Sequence, residues 1–351
     1  MNKFDNVCEI EDKYNIKFNK INNTLCNHIL LIFNTGKIPI TYDPDLYYII
    51  GSYYLANKNY DLMKIYYLMA IQKKNTLAMI NLAYYYKKIS INYDEMKKYY
   101  LIAIDNNNIE AMVKLGYFYQ YNEHNYDLMH KYYLMAIDNG NCEAMNMLAN
   151  HYKDKKNYDL MHKYSLMAID KGNCEAMHML GDYYRFNNKN YDLMKKYYLM
   201  AIDKENIYAM HQLSEYYGDS NYEEMIKYLK MAIDKKHSTS MMHLAYYYRD
   251  IHNNYEEMEK YCLMAVMNDC DEDAVEYLTD HYKDINNTDK LLNLYLITIK
   301  MHDFNSMYNL GLYYESIKNY EEMKKYLLMA ANKGHKYAIK KLISLLLKEN
   351  L

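Results

Sequence analysis

Residues 125–144 read Asn125-Tyr126-Asp127-Leu128-Met129-His130-Lys131-Tyr132-Tyr133-Leu134-Met135-Ala136-Ile137-Asp138-Asn139-Gly140-Asn141-Cys142-Glu143-Ala144. The opening Asn-Tyr-(Asp/Glu)-x-Met returns about every 33 residues, at Asn59, Asn92, Asn157, Asn190, Asn221, Asn254 and Asn319, with a worn copy at Asn287-Thr288. A fixed period of that size marks a stack of identical supersecondary units rather than one globular core. Each unit is expected to be a pair of helices, A and B, and the Asn-Tyr motif opens helix B.

Two prolines in 351 residues leave the helices uninterrupted. A net charge of -3 and a pI near 6.5 argue against a general nucleic-acid binder. No apolar run reaches transmembrane length, and the first residues do not read as a secretory signal. The six cysteines form no CxxC pair, and a reducing cytoplasm is the simplest reading.

Two columns of small residues run through the repeats. Helix A carries Gly51, Ala83, Gly116, Ala149, Gly181, Ser214, Ala245, Thr279 and Gly311. Helix B carries Ala70, Ala103, Ala136, Ala168, Ala201, Ala232, Ala265, Thr298 and Ala330. Small side chains let helix backbones approach closely, and larger ones would overpack the contact. Leu115, Leu148 and their equivalents are the expected knobs beside the first column. Tyrosines at the Tyr119 and Tyr132 positions, and methionines at the Met129 position, are expected as core. The motif asparagines are expected N-caps, and Gly140 and Gly172 expected left-handed C-caps.

Residues 1–42 lack the repeat and read as an N-terminal cap, with Leu25, Ile29, Ile32 and Phe33 at helical spacing before Gly36. Asp43-Pro44 is the expected start of the first helix A. Residues 43–335 hold nine repeats, and residues 336–351 a capping helix. The eighth repeat is the weakest, with Thr288, Leu294 and Thr298 replacing Tyr, Tyr and Ala, and reads as a bend or a looser pair.

The pattern Ala-x3-Leu-Gly-x2-Tyr, followed by Lys-Tyr-Tyr-Leu-Met-Ala-Ile-Asp-x-Gly-Asn-x-Glu-Ala, resembles the Sel-one-like repeat branch of the tetratricopeptide superfamily. It covers roughly residues 44–348 and is clearest over 111–176. Two departures stand out: the A–B loop is short and poor in glycine, and the family's bulky helix B aromatic, often Trp, is Tyr here. The resemblance implies an all-α superhelical solenoid of about nine hairpins with capping helices, acting as an adaptor for protein complexes. The Tyr-, Asn- and Lys-rich composition is similar to arrays of giant DNA viruses of amoebae (Mimivirus type), which implies a viral protein in the host cytoplasm.

No GxGxxG, P-loop, GxSxG, HExxH or paired-Cys motif is present, so no enzyme, no cofactor and no metal are expected. Tetratricopeptide geometry, carried across, places variable helix A residues on a concave groove: Val113, Tyr117, Asn146, Asn150, His178, Asp182, His211, Glu215, Met242, Tyr246, Glu276 and Asp280, edged by Arg185 and Arg249. These residues are equally compatible with an ordinary solvated wall. His178/Asp182 and His211/Glu215 supply ligand types for a metal, but also read as plain i,i+4 contacts. The expected function is a non-enzymatic protein-protein interaction scaffold holding a peptide or protein partner, with no membrane contact. The rival is a single-stranded RNA-binding repeat protein, against which Asp182, Glu215, Glu276 and Asp280 argue. An enzyme or regulator with a site in residues 1–42 is disfavoured, because that segment is short and poor in convergent polar groups.

Two substitutions test the columns by chemical denaturation. Ala136→Leu is expected to cost about 1–3 kcal/mol by overpacking, and Asn125→Ala about 1 kcal/mol through its lost cap.

Overall fold

The computed structural model describes residues 23–37 and 44–349. The readings placed on residues 1–22 and on the Asp43 cap lie outside them. Among the described residues all regular structure is helical, so the chain is an all-α helical-repeat solenoid. The described residues up to 176 and those from 177 onward form two compact units.

The first unit opens with α1 (Asn23–Thr35), in which Ile29 and Ile32 are buried and Phe33 meets Tyr53 edge-on at 5.5 Å. Gly36 follows with φ +70°. Four A/B pairs come next. They are α2 (Pro44–Ala56) with α3 (Tyr60–Gln72), α4 (Thr76–Lys88) with α5 (Tyr93–Asp105), α6 (Ile109–Tyr121) with α7 (Tyr126–Asp138), and α8 (Cys142–Asp154) with α9 (Tyr158–Asp170). Then come α10 (Cys174–Asp182), continued by a π-helical turn Tyr183–Asn187, and α11 (Tyr191–Ile202). The remaining pairs are α12 (Ile207–Tyr217) with α13 (Tyr222–Asp234), α14 (Ser238–Asp250) with α15 (Tyr255–Asp269), α16 (Glu272–Asp284) with α17 (Thr288–Lys300), and α18 (Phe304–Ser316) with α19 (Tyr320–Asn332). A final α20 (Lys336–Glu349) buries Ala338 and packs Leu342 and Leu345 against Met307, Met323 and Leu327.

One loop geometry repeats. After α7, the Gly140 amide donates to the Ile137 carbonyl at 2.7 Å and the Asn141 amide to the Ala136 carbonyl at 3.1 Å. These are the two bonds of a Schellman turn, with Gly140 left-handed. Asn141 then accepts from the Ala144 amide at 2.8 Å and caps α8. A single asparagine thus closes one helix and opens the next. The motif asparagines from Asn59 to Asn319 cap the B helices as expected. Asn75, Asn108, Asn141, Asn173, Asn206, Asp271 and Asp303 cap A helices in the same way. The residue before each cap is left-handed throughout, except at Asn221, where a 3-10 turn, Gly218–Ser220, intervenes. Glycine fills that post only at Gly140, Gly172 and Gly334; elsewhere it is Lys, Asn, His, Ile, Glu or Cys.

Seven of the nine hairpins are held by a near-parallel ring pair. Tyr86 stacks on Tyr99, Tyr119 on Tyr132, Tyr152 on Tyr164, Tyr184 on Tyr197, Tyr217 on Tyr228, Tyr248 on Tyr261 and Tyr314 on Tyr326. All seven have centroids 5.6–5.9 Å apart and planes within 6°. Such a pair is worth about 0.5–1.5 kcal/mol beyond its burial. Next to it lies a second aromatic that the column reading passed over. Tyr67, Tyr133 and Tyr198 are fully buried, and a Cβ at Gly51, Gly116 or Gly181 would fall 2.5, 2.7 or 2.3 Å from those rings. The helix A small column is small because this tyrosine lies on it. Gly311 faces Leu327 instead, at 3.0 Å.

As expected, the eighth pair packs less closely than its neighbouring hairpins, yet its Thr298 is satisfied. That hydroxyl donates within its own turn and pairs with Ser306 Oγ at 2.7 Å. Ser306 occupies the place of Ala111 in other repeats, so the two departures satisfy each other.

Gly116→Ala is expected to destabilise by about 1–2 kcal/mol, because overpacking against Tyr133 outweighs the helix-propensity gain. Adding Tyr133→Leu should return most of the loss in a urea-unfolding double-mutant cycle.

Candidate functional site

Counting from the alanine that opens the packed part of each helix A (Ala111, Ala144, Ala176, Ala209, Ala274, with Ser240 in one repeat), the expected groove residues fall two and six positions on. The second position holds Val113, Asn146, His178, His211, Met242 and Glu276. Val113, Asn146, His211 and Met242 are buried, which corrects the expectation that they line open surface. Where the contacts can be followed, the reason is that the position faces the next helix A: His211 on α12 meets Ser240 and His243 on α14. His178 is half-buried beside Tyr198 and Tyr208, and Glu276 is exposed.

The sixth position is more open. Tyr117, Glu215 and Asp280 are exposed, while Asn150, Asp182 and Tyr246 are half-buried. Asp182 accepts from the Tyr198 hydroxyl at 2.7 Å, so a B-helix tyrosine reaches through the hairpin to the A face. In the first unit Lys87 Nζ lies 5.3 Å over Tyr117, which packs on Tyr121. Arg249 lies between Tyr246 and Tyr277, donates to the Tyr277 hydroxyl at 2.6 Å and pairs with Asp250. Arg185, on the π-helical turn, donates to the Gln212 carbonyl at 2.9 Å and to Glu215 at 3.2 Å. Gln212, His243 and Tyr277 stand three positions after the opening residue, and sequence reasoning gave them no role.

The quartet His178, Asp182, His211 and Glu215 does not converge. His178 Nε2 lies 3.5 Å from Asp182, and His211 Nε2 lies 3.6 Å from Glu215 Oε1. Among the described residues, the ligand-type atoms that gather within 4.8 Å of one another are those of His211, Glu215 and His243. Ser240 Oγ sits beneath them, 3.1 Å from His211 Nδ1 and 2.8 Å from His237 Nδ1. Burial, followed by the facing His243, pushes the His211 pKa down to about 4; His237 and Arg185 add to this and Glu215 opposes it. His237 is also lowered, mainly by burial. The cluster had a readable signature: Ser240 replaces the alanine column, and His237 replaces the Asn cap column.

Further along the second unit, α16 and α18 flank a cavity of about 340 Å³. Glu272, Glu276, Asp280 and Asp303 contribute carboxylates, with Lys283, Tyr308 and Asn309 also in its wall. The B helices show a different surface: Leu68, Leu101, Leu134, Leu166, Leu199, Leu296 and Leu328 recur at one position and are all 40 % or more exposed.

With this geometry in view, known structures supply the frame. A protective antigen of uropathogenic Escherichia coli strains, c5321, has an SLR fold and superposes with a TM-score of 0.52 at 17% identity, over 88% of this chain and 73% of that one. A Sel1 repeat protein from Oxalobacter formigenes superposes with a TM-score of 0.50 at 18% identity, over 61% of this chain and 97% of that one. The fold is the Sel1-like repeat fold. No family model and no curated protein matches the chain. Among the described residues no helix is long and apolar enough to cross a membrane.

The histidine cluster makes stability pH-dependent. His211 binds its proton less readily folded than unfolded, so the unfolded chain takes up more protons between pH 6.5 and 4, and stability falls as pH falls through that window. The expected loss is on the order of 2 kcal/mol at pH 5 relative to pH 8. His211→Gln should flatten the dependence in urea titrations at those two pH values.

Proposed function

We propose that this chain is a non-enzymatic scaffold whose A-helix faces bind a protein or peptide partner. The observation that carries the reading is the division of labour within each repeat. The caps, ring pairs and small columns are nearly constant, while the sixth A-helix position runs through Tyr117, Asn150, Asp182, Glu215, Tyr246 and Asp280. A repeat array that keeps its packing and varies one face presents an extended recognition surface. The proposed contact residues are, in the first unit, the exposed Tyr117 with Asn150, and in the second unit the exposed Glu215, Glu276 and Asp280 with Asp182, Arg185, Tyr246 and Arg249.

In the second unit the cavity between α16 and α18 suits a lysine or arginine side chain of the partner, because four carboxylates surround it and Lys283 answers only one, Asp280 at 3.6 Å. Charge complementarity of this kind contributes on-rate and specificity. The same acidity disfavours the RNA reading, since single-stranded RNA grooves are basic. On this proposal the protein works in a reducing cytoplasm, that of the host if its source is a giant DNA virus.

The test is a peptide array scored by fluorescence anisotropy. Lysine- or arginine-containing peptides should bind, and Glu276→Lys with Asp280→Lys should weaken them at least about tenfold. Submicromolar binding of mixed-sequence RNA that falls steeply with salt, without peptide binding, would replace this reading by the RNA-binding one.

A further inference from the structure

The polar cluster on α12 and α14 has no part in the packing pattern that the other repeats share. Three of its members break that pattern. Ser240 stands in an alanine column, His237 in a column of Asn and Asp caps, and His243 where other repeats carry Asn81, Lys114, Met147 or Gln212. Burying the His211 imidazole and the Ser240 hydroxyl is costly unless their polar atoms are used.

We propose that His211, Glu215 and His243 bind a single divalent transition-metal ion of the zinc class. The donor chemistry fits: two imidazoles and one carboxylate suit zinc, cobalt or nickel, and leave a coordination position for water or a partner's side chain. The geometry is close to closed. Ligands about 2.0–2.1 Å from a tetrahedral zinc lie roughly 3.4 Å from each other. His211 Nε2 and Glu215 Oε1 are already 3.6 Å apart, and all three donor atoms fall within 4.8 Å.

Ser240 supports the site from behind. Its Oγ bonds both His211 Nδ1 and His237 Nδ1. With the proton of His211 on Nδ1, that nitrogen donates to Ser240 Oγ, and the Ser240 hydroxyl donates to the lone pair on His237 Nδ1. This arrangement holds the His211 ring and leaves its Nε2 lone pair facing Glu215. A ligand histidine with its second nitrogen held in this way is the usual support of a metal site. Arg185 is the opposing charge, and it sits on the other oxygen, Glu215 Oε2. Ser240 is therefore a positioning residue, and the ion would pin α12 to α14, the A helices of successive hairpins.

The full chain, stripped with a chelator, is titrated with zinc chloride by calorimetry and separately with cobalt(II) by absorption. One equivalent of zinc is expected to bind with a Kd of about 10 µM or tighter. The cobalt complex should show tetrahedral d–d bands without thiolate charge transfer. His243→Ala and Glu215→Gln should each weaken zinc at least about tenfold with unchanged helical circular dichroism. Ser240→Ala restores the alanine that most repeats carry at this position and is expected to fold normally, yet should lose about tenfold in affinity. Zinc binding weaker than 100 µM in the wild type overturns the proposal, as does wild-type affinity in both His243→Ala and Glu215→Gln. Wild-type affinity in Ser240→Ala alone overturns its positioning role. None of these readouts depends on a peptide partner.

Discussion

An asparagine shared by two helices is the constraint on which this structure rests. Its amide completes the Schellman turn of the helix before it, and its side chain caps the helix after it, as at Asn75 and Asn141. With both roles on one residue, loops such as Lys73-Lys74-Asn75 need only three residues. So short a connection fixes the crossing of the two helices before any core contact forms. The left-handed residue ahead of each cap follows from the same geometry. Among the described residues fourteen such posts are not glycine, and each carries about 1 kcal/mol or more of backbone cost. The array tolerates that because the caps, and in most repeats a ring pair, offset it.

Much of the fold was legible because the constraint is local and periodic. Cap asparagines, alanine columns and stacked tyrosines each recur at one offset, and one chain offers many readings of them. What escaped was the identity of the partner surfaces. The tyrosine adjacent to the stacked ring, Tyr67 or Tyr133, was overlooked because Ser165, Leu229, Cys262 and Leu327 interrupt its column. The interruptions are informative, since the one opposite Gly311 is Leu327, where the glycine is less tightly covered.

The candidate site was half legible for a different reason. The sixth A-helix position varies from repeat to repeat and is exposed or half-buried, but the second position was assigned by analogy to a surface that His211, Asn146 and Met242 do not reach. One residue of angular difference on a helix, about 100°, separates His211 from Gln212, and the sequence does not say which lies against the neighbour. His243 could not be joined to His211 without that information. Ser240 could have suggested it, because a hydroxyl at a buried alanine post needs a partner.

The ring pairs also bear on how such a chain changes length over time. Tyr119 and Tyr132 lie thirteen positions apart in one hairpin, and the caps and glycine contact of that hairpin are similarly near in sequence. Each repeat therefore carries its own closure with it. Recombination that gains or drops one whole period delivers a hairpin with its ring stack and caps already matched, whereas a break inside the period separates both partners. Copy number is thus free to drift in whole hairpins, and a motif as idiosyncratic as Ser240 and His243 can be confined to one junction without disturbing the others.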